Sequence, residues 1–353
     1  MSRFACTIII IAIAGMAAAQ PQIADVTGAI DPGATVRIAG FGFGDKERGA
    51  PIIWDDLNSG SYGYLQDGDP IPTKNGAYGH DGDPEAPHLS ADSPNYEAST
   101  VYRRDGRVPQ RPVYAVTKGY GWLGPLEELN DRSIYLDWWV RGAESTRQSG
   151  PGNKILRIQA GPDISTGGII LYEDMVTYPL GSDPQVSGSS YSKLFPEGEN
   201  WTHLGLWMDV SGGVNSEGTL YVWRNGELIH SIEDLAGQEL GFPRITALGL
   251  QPTQGTEPGG EFQFGDIYLD NTLARVMIGN AASWESVTHH EMQIPVTWEA
   301  DEISFTVNLG NFPDSDDLYL FISTANGDIN EGGYQVRGEI VGPGQPGQPV
   351  FSQ

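Results

Sequence analysis

From Trp54 onward, apolar residues recur at every second position or in short β-branched and aromatic runs, and no long helical period occurs. The pattern predicts strands over 132–142, 153–161, 167–175, 201–211, 218–232, 244–251 and 260–271. Each run is bounded by Gly, Pro, Asn, Asp or Ser clusters. Asn225-Gly226, inside "WRNGEL", marks a two-residue hairpin turn. Many closely spaced strands without helices between them predict an antiparallel sandwich or barrel. Glycine (47) and proline (24) are abundant enough to supply the turns.

Alternation also assigns faces. In 132–142 the set Ile134, Leu136, Trp138, Val140 reads as the core side, which turns Tyr135, Asp137, Trp139 and Arg141 the other way. By the same parity Leu156 and Ile158 point inward and Arg157 and Gln159 outward. Leu204, Leu206 and Met208 point inward, with His203, Trp207 and Asp209 opposite. Tyr221 and Trp223 oppose Leu220 and Val222. The non-core face thus collects Tyr135, Trp139, Arg157, Gln159, His203, Trp207, Tyr221 and Trp223 as candidate ligand-binding residues. Aromatic rings stack on the apolar faces of sugars, and Arg and Gln bond hydroxyls and carboxylates. The competing reading packs this face against another layer and makes its tryptophans core.

The first twenty residues have the form of a secretory signal peptide: Arg3, the apolar run "TIIIIAIAG", and a small-residue site near Ala19/Gln20. The run is short for a membrane span of ~20 residues, so an exported protein, secreted or at the cell surface, is expected without an integral span in the mature chain. Cys6, the one cysteine, lies within that segment, so no disulfide is expected afterward. Acidic residues outnumber basic ones 46 to 20, a formal charge of −26, which disfavours nucleic acid and anionic lipid as partners. Between 59 and 111 an Asp/Gly/Pro-rich stretch with few aliphatic residues reads as a long surface excursion, and 339–353 as a flexible Pro/Gly tail.

"ENWTHLGLWMDVSGGVNSEGTLYVWRNGELIHSI" resembles the centre of laminin-G and concanavalin A-like lectin/glucanase domains. "APIIWDDLNSG" is similar to the opening strand of that jelly roll and "FQFGDIYLDNT" to its closing one. The C-terminal run 274–338 is similar to the later strands of an IPT/TIG immunoglobulin-like module, whose opening "G.tvtItG.gFG" is matched by "GATVRIAGFGFG" at 33–44. These resemblances imply an all-β protein: a jelly-roll β-sandwich (49–273) inserted in a smaller immunoglobulin-like sandwich built from both chain ends, 22–48 and 274–338. Two separate, incomplete β-appendages are the alternative. Val36 and Ile38 are then expected against Ile303, Phe305 and Leu320.

The expected function is carbohydrate binding or a role at the cell surface, without catalysis, and with a polysaccharide or glycan surface as partner. A fold of this kind hosts lectins, enzymes and inert spacers alike. Retaining glycosidases of the fold carry a tight E-x-D-x-x-E strand with carboxylates ~5 Å apart. That string is missing: Glu261, Asp266 and Asp270 have the wrong spacing. A polysaccharide-degrading enzyme, lyase or glycoside hydrolase, is the enzymatic alternative; as a lyase it would take Arg157, Gln159, His203 and Tyr221 as its catalytic set. A purely structural matrix protein is the other. Resemblance to calcium-binding jelly rolls puts a structural Ca2+ between the opening and closing strands, on Asp55 or Asp56 with Asp270. The Asp67/Asp69 and Asp81/Asp83 pairs form a second candidate. His289-His290-Glu291, beside a turn, reads as a solvated loop rather than the alternative, a metal site.

Overall fold

The computed structural model describes residues 20–56, 89–91, 96–99, 113–116, 123–125, 131–142, 154–159, 168–172, 175–177, 189–190, 201–209, 218–235, 247–250 and 262–338. The protein is all-β: the described residues form antiparallel sheets of eight, seven, four and four strands, with one short 3-10 turn, Trp284–Ser286. No helix among the described residues is long and apolar enough to cross a membrane.

The eight- and seven-stranded sheets make the larger sandwich. The eight-stranded sheet is centred on Ser133–Gly142, flanked by Thr202–Asp209 and Phe262–Asp270. Gly218–Arg224 and Glu227–Leu235 continue it outward, joined through Asn225 (φ 49) and Gly226 (φ 83), the left-handed pair that a tight hairpin requires. Register puts Trp138 beside Leu204, Leu136 beside Leu206 and Ile134 beside Met208, all essentially solvent-free. The core parity read from the sequence therefore holds along this sheet. Ile53–Asp55, the opening strand, pairs with the closing strand Phe262–Asp270.

Two findings differ from expectation. The excursion over 59–111 is not loop throughout. Leu89–Ala91 and Tyr96–Ser99 within it supply edge strands to the seven- and eight-stranded sheets. Lys154–Gln159, which carries Arg157 and Gln159, belongs to the seven-stranded sheet, whereas His203 and Tyr221 lie in the eight-stranded one. Strand alternation predicts which way a residue points within its own sheet but not which sheet a strand joins.

The two four-stranded sheets make the second sandwich, and both chain ends enter it. Thr35–Phe41 lies between Gln22–Thr27 and Glu302–Thr306, with Val36 opposite Phe305 and Ile38 opposite Ile303. The facing sheet runs His290–Met292, Arg275–Gly279, Leu318–Ser323, Tyr334–Arg337. Val36, Ile38, Ile303, Phe305, Val276, Ile278, Leu320 and Ile322 meet in one dry core. Phe43 joins that core from a bend in which Gly42 (φ 76) and Gly44 (φ 73) take backbone angles that side chains resist.

Every residue of Arg275–Gly279 is buried, because its sheet is covered on both sides. Val276 and Ile278 face their own core. Met277, with Phe321 and Met292, instead packs on Tyr135, Trp207 and Tyr268 of the eight-stranded sheet. The second sandwich thus caps the non-core face of the jelly roll. The junction is reinforced by Lys46, whose buried ammonium lies 2.7 Å from Asp270 Oδ2.

Candidate functional site

The face read from parity as a sugar-binding groove is covered over Tyr135 and Trp207. Trp207 keeps 8% of its surface and Tyr135 3%, both beneath Met277, Met292 and Phe321. The reason lies in that second sheet, whose outward residues are as apolar as the tryptophans they meet. Trp139, Tyr221 and Trp223 remain half-buried. Arg157 and Gln159 are placed by backbone alone, in the other sheet.

The two surfaces do not close completely. A cavity of about 270 Å³ remains between them, just below the ~300–1,000 Å³ typical of small-ligand sites. From the jelly roll come Tyr135, Asp137, His203, Gly205, Tyr221 and Trp223; from the second sandwich and its approach come Leu273, Arg275, Trp284, His290, Asn326 and Ile329. Gly205 makes the room. It sits between Asp137 and Trp223 on paired strands, and it has no side chain to fill the row.

Asp137 lies at the floor of this space, on the central strand and 2% exposed. Its Oδ1 is 2.6 Å from His203 Nε2, and its Oδ2 accepts a hydrogen bond from the Tyr135 hydroxyl at 3.1 Å. Burial opposes its charge, but His203 and then His290 outweigh that, and the carboxyl stays below its ordinary range. His203 stacks on Trp139, centroids 4.6 Å apart and planes 7° from parallel, and its ring lies 4.5 Å from that of His290. Burial, aided by His203 and opposed by Asp137, pulls His290 down to about 3, so it is neutral near pH 7. Burial holds the Tyr135 phenol well above its usual value against Arg275, which rules it out as a ready base.

Asp137, His203 and His290 each offer one donor atom, all within 4.8 Å of one another, the one such cluster among the described residues. His290 was expected in a solvated loop. It is instead 7% exposed and Glu291 1%, because the strand His290–Met292 hydrogen-bonds along Arg275–Gly279 and turns inward. Arg275 completes the site. Its guanidinium lies 4.5 Å over the Tyr135 ring, one terminal nitrogen donates to Leu273 O and Ser323 Oγ, and Nε has no hydrogen-bond partner among the described residues.

Of the expected calcium ligands, Asp270 is already taken. Asp270 is engaged by Lys46, accepts from Tyr268 Oη at Oδ2 and from the Asn271 amide at Oδ1, and the ammonium already supplies the positive charge. Calcium needs six to eight oxygens and tolerates no cation among them. Asp55 and Asp56 are buried, and Asp55 pairs with Ile267 on the closing strand. Asp67, Asp69, Asp81 and Asp83 lie outside the described residues.

Sequence reasoning placed Asp137 on the correct face without singling it out, although a lone acid within "SIYLDWWVRG" is a signal for a partnered buried charge. Arg275 and Trp284 carried no such signal, and His290 was noted only within the His289-His290-Glu291 trio, since all three reach the cavity through the docking of one sandwich on the other.

No protein-family model and no curated protein matches the chain. Among solved structures the chain is similar to the alginate lyase Aly36B bound to an alginate tetrasaccharide, at 11% identity over 62% of this chain and 96% of that one, with a TM-score of 0.42. It is also similar to the endo-β-1,4-glucuronan lyase of the fungus Trichoderma reesei (10% identity, 58% and 95% coverage, TM-score 0.36). A third is alginate lyase vAL-1 from Chlorella virus (12%, 63% and 99%, 0.37). Similarity at this level is no argument for function, which rests on the residues of the cavity.

Proposed function

We propose that the protein is exported and binds carbohydrate, with one sugar unit of a glycan seated between the jelly roll and a second sandwich of IPT/TIG-like, immunoglobulin type. The supporting observation is the combination of aromatic walls, Tyr221, Trp223 and Trp284, with a buried guanidinium at Arg275 whose Nε is unpaired among the described residues. Ring faces hold the apolar side of a pyranose, and a planar cationic donor selects a carboxylate or a pair of hydroxyls. A sugar acid is therefore favoured over a neutral hexose. The overall charge of −26 opposes this only weakly, because repulsion is screened beyond about 8 Å at physiological salt while Arg275 acts at contact.

Catalysis is the second reading, and His203 supports it. An imidazole oriented by a buried carboxylate at 2.6 Å has the arrangement of a general base. The lyase set inferred from parity is not retained as a unit, since Arg157 and Gln159 belong to the other sheet.

A glycan array read beside an absorbance assay for unsaturated uronate separates these readings. Binding of acidic glycans without cleavage, lost in Trp223→Ala and Arg275→Ala, is the expected result. Cleavage replaces the lectin reading with the lyase one, and the absence of any binding leaves a structural role at the cell surface.

A further inference from the structure

We propose that Asp137, His203 and His290 bind a divalent transition-metal ion, of the Zn2+ class, on the floor of the cavity. One donor atom from each residue lies within 4.8 Å of the other two. A tetrahedral zinc centre, with bonds of about 2.0–2.2 Å, spaces its ligand atoms by roughly 3.4 Å, so small side-chain adjustments suffice. Asp137 and His203, now 2.6 Å apart, would open by less than the width of an atom and release the proton between them.

The surroundings hold the donors in place. Tyr135 Oη donates to Asp137 Oδ2 and leaves Oδ1 for the ion, an outer contact of the kind that orients metal-binding carboxylates. Trp139 stacks on the His203 ring and Trp284 lies 5.3 Å from His290, so neither imidazole swings freely. The His203 amide donates to Asn225 Oδ1 and pins the strand beneath it. All three donor residues are buried, which keeps bulk water from competing for them.

Chemistry narrows the ion. Two imidazoles and one carboxylate suit zinc, cobalt or ferrous iron, and not calcium or magnesium, which take oxygen donors. Three protein ligands facing a cavity leave a further position open, unlike the closed sets of structural zinc. Arg275 is the cation facing the cluster, so the added ligand would be an anion, a hydroxide or a carboxylate. The ion would also join two units, since Asp137 and His203 come from the jelly roll and His290 from the second sandwich. This inference does not depend on carbohydrate binding.

The test uses the untagged protein, stripped with chelator and then loaded with Zn2+ or, as an optical probe, Co2+. After gel filtration, elemental analysis is expected to find one equivalent of zinc, and the cobalt form to show the visible bands of a four- or five-coordinate centre. His290→Gln and His203→Gln lose that equivalent, His230→Ala keeps it, and Tyr135→Phe binds about 10-fold more weakly. A wild-type protein that retains no stoichiometric metal and shows no cobalt bands overturns the proposal, as does folded His290→Gln with wild-type stoichiometry and spectrum. Should the glutamine variants fail to fold, the wild-type stoichiometry and cobalt bands decide. No sugar is present, so failure here is separate from failure of the carbohydrate reading.

Discussion

His203 Nε2 and Asp137 Oδ1, on adjacent strands of the larger sandwich, lie 2.6 Å apart in a site where neither side chain exceeds 5% exposure. Replacing Asp137 by Asn keeps the shape and removes the charge. A loss of about 1–3 kcal/mol is expected by urea unfolding of the metal-free protein. The pH dependence has a definite sign. Asp137 faces His203, His290 and Tyr135, and its folded carboxyl lies below its ordinary value. Its contribution is thus present above the ordinary carboxylate range and lost as pH falls through the depressed value. Wild type and Asp137→Asn should converge in acid. Curves that stay parallel contradict the pairing.

Phe321 is fully buried where the sandwiches meet, edge-on to Trp284 at 5.2 Å. Phe321→Ala should cost about 3–5 kcal/mol and loosen the cap over Trp207. Tryptophan emission would shift red before global unfolding. A single unchanged transition contradicts an interface role.

Lys46 and Asp270 form a buried pair in which burial works against both charges, lowering the lysine and raising the carboxyl. Lys46→Met alone leaves an uncompensated carboxylate and should cost about 3–5 kcal/mol, whereas Lys46→Met with Asp270→Asn should recover most of it. A double-mutant cycle by chemical denaturation measures the coupling. Additive losses would mean the two groups act independently.

The cavity depends on Gly205. A methyl group there would meet Trp223 at 3.4 Å and Asp137 Oδ2 at 3.7 Å, ordinary contacts. Gly205→Ala should therefore fold normally while weakening the proposed sugar binding about 10-fold. Unchanged affinity in titration calorimetry would place the glycan elsewhere.

Ile38 faces Ile303 across paired strands from opposite ends of the chain. Ile38→Ala should cost about 2–5 kcal/mol. Removing residues 22–41 should strip one of the two partners of Glu302–Thr306, leaving Ile294–Trp298, and expose a sheet edge, seen as aggregation in size-exclusion chromatography. A soluble, monomeric truncation would show that the C-terminal strands stand without it.

The all-β class, the strand positions and the core parity of Ile134, Leu136, Trp138 and Val140 were legible in the sequence, because alternation records which side of a strand is dry. The Asn225-Gly226 hairpin was legible too, since few dipeptides accept its backbone angles. Periodicity is local, however, and the site is not. Whether Tyr135 and Trp207 face a sugar or Phe321, and whether His290 lies in solvent or beside Asp137, depends on how two sandwiches dock. Apolar side chains meet either fate with the same pattern along the strand. The sequence determined the faces; the tertiary structure alone decided what covers them, because burial between sheets depends on contacts made by residues more than a hundred positions apart.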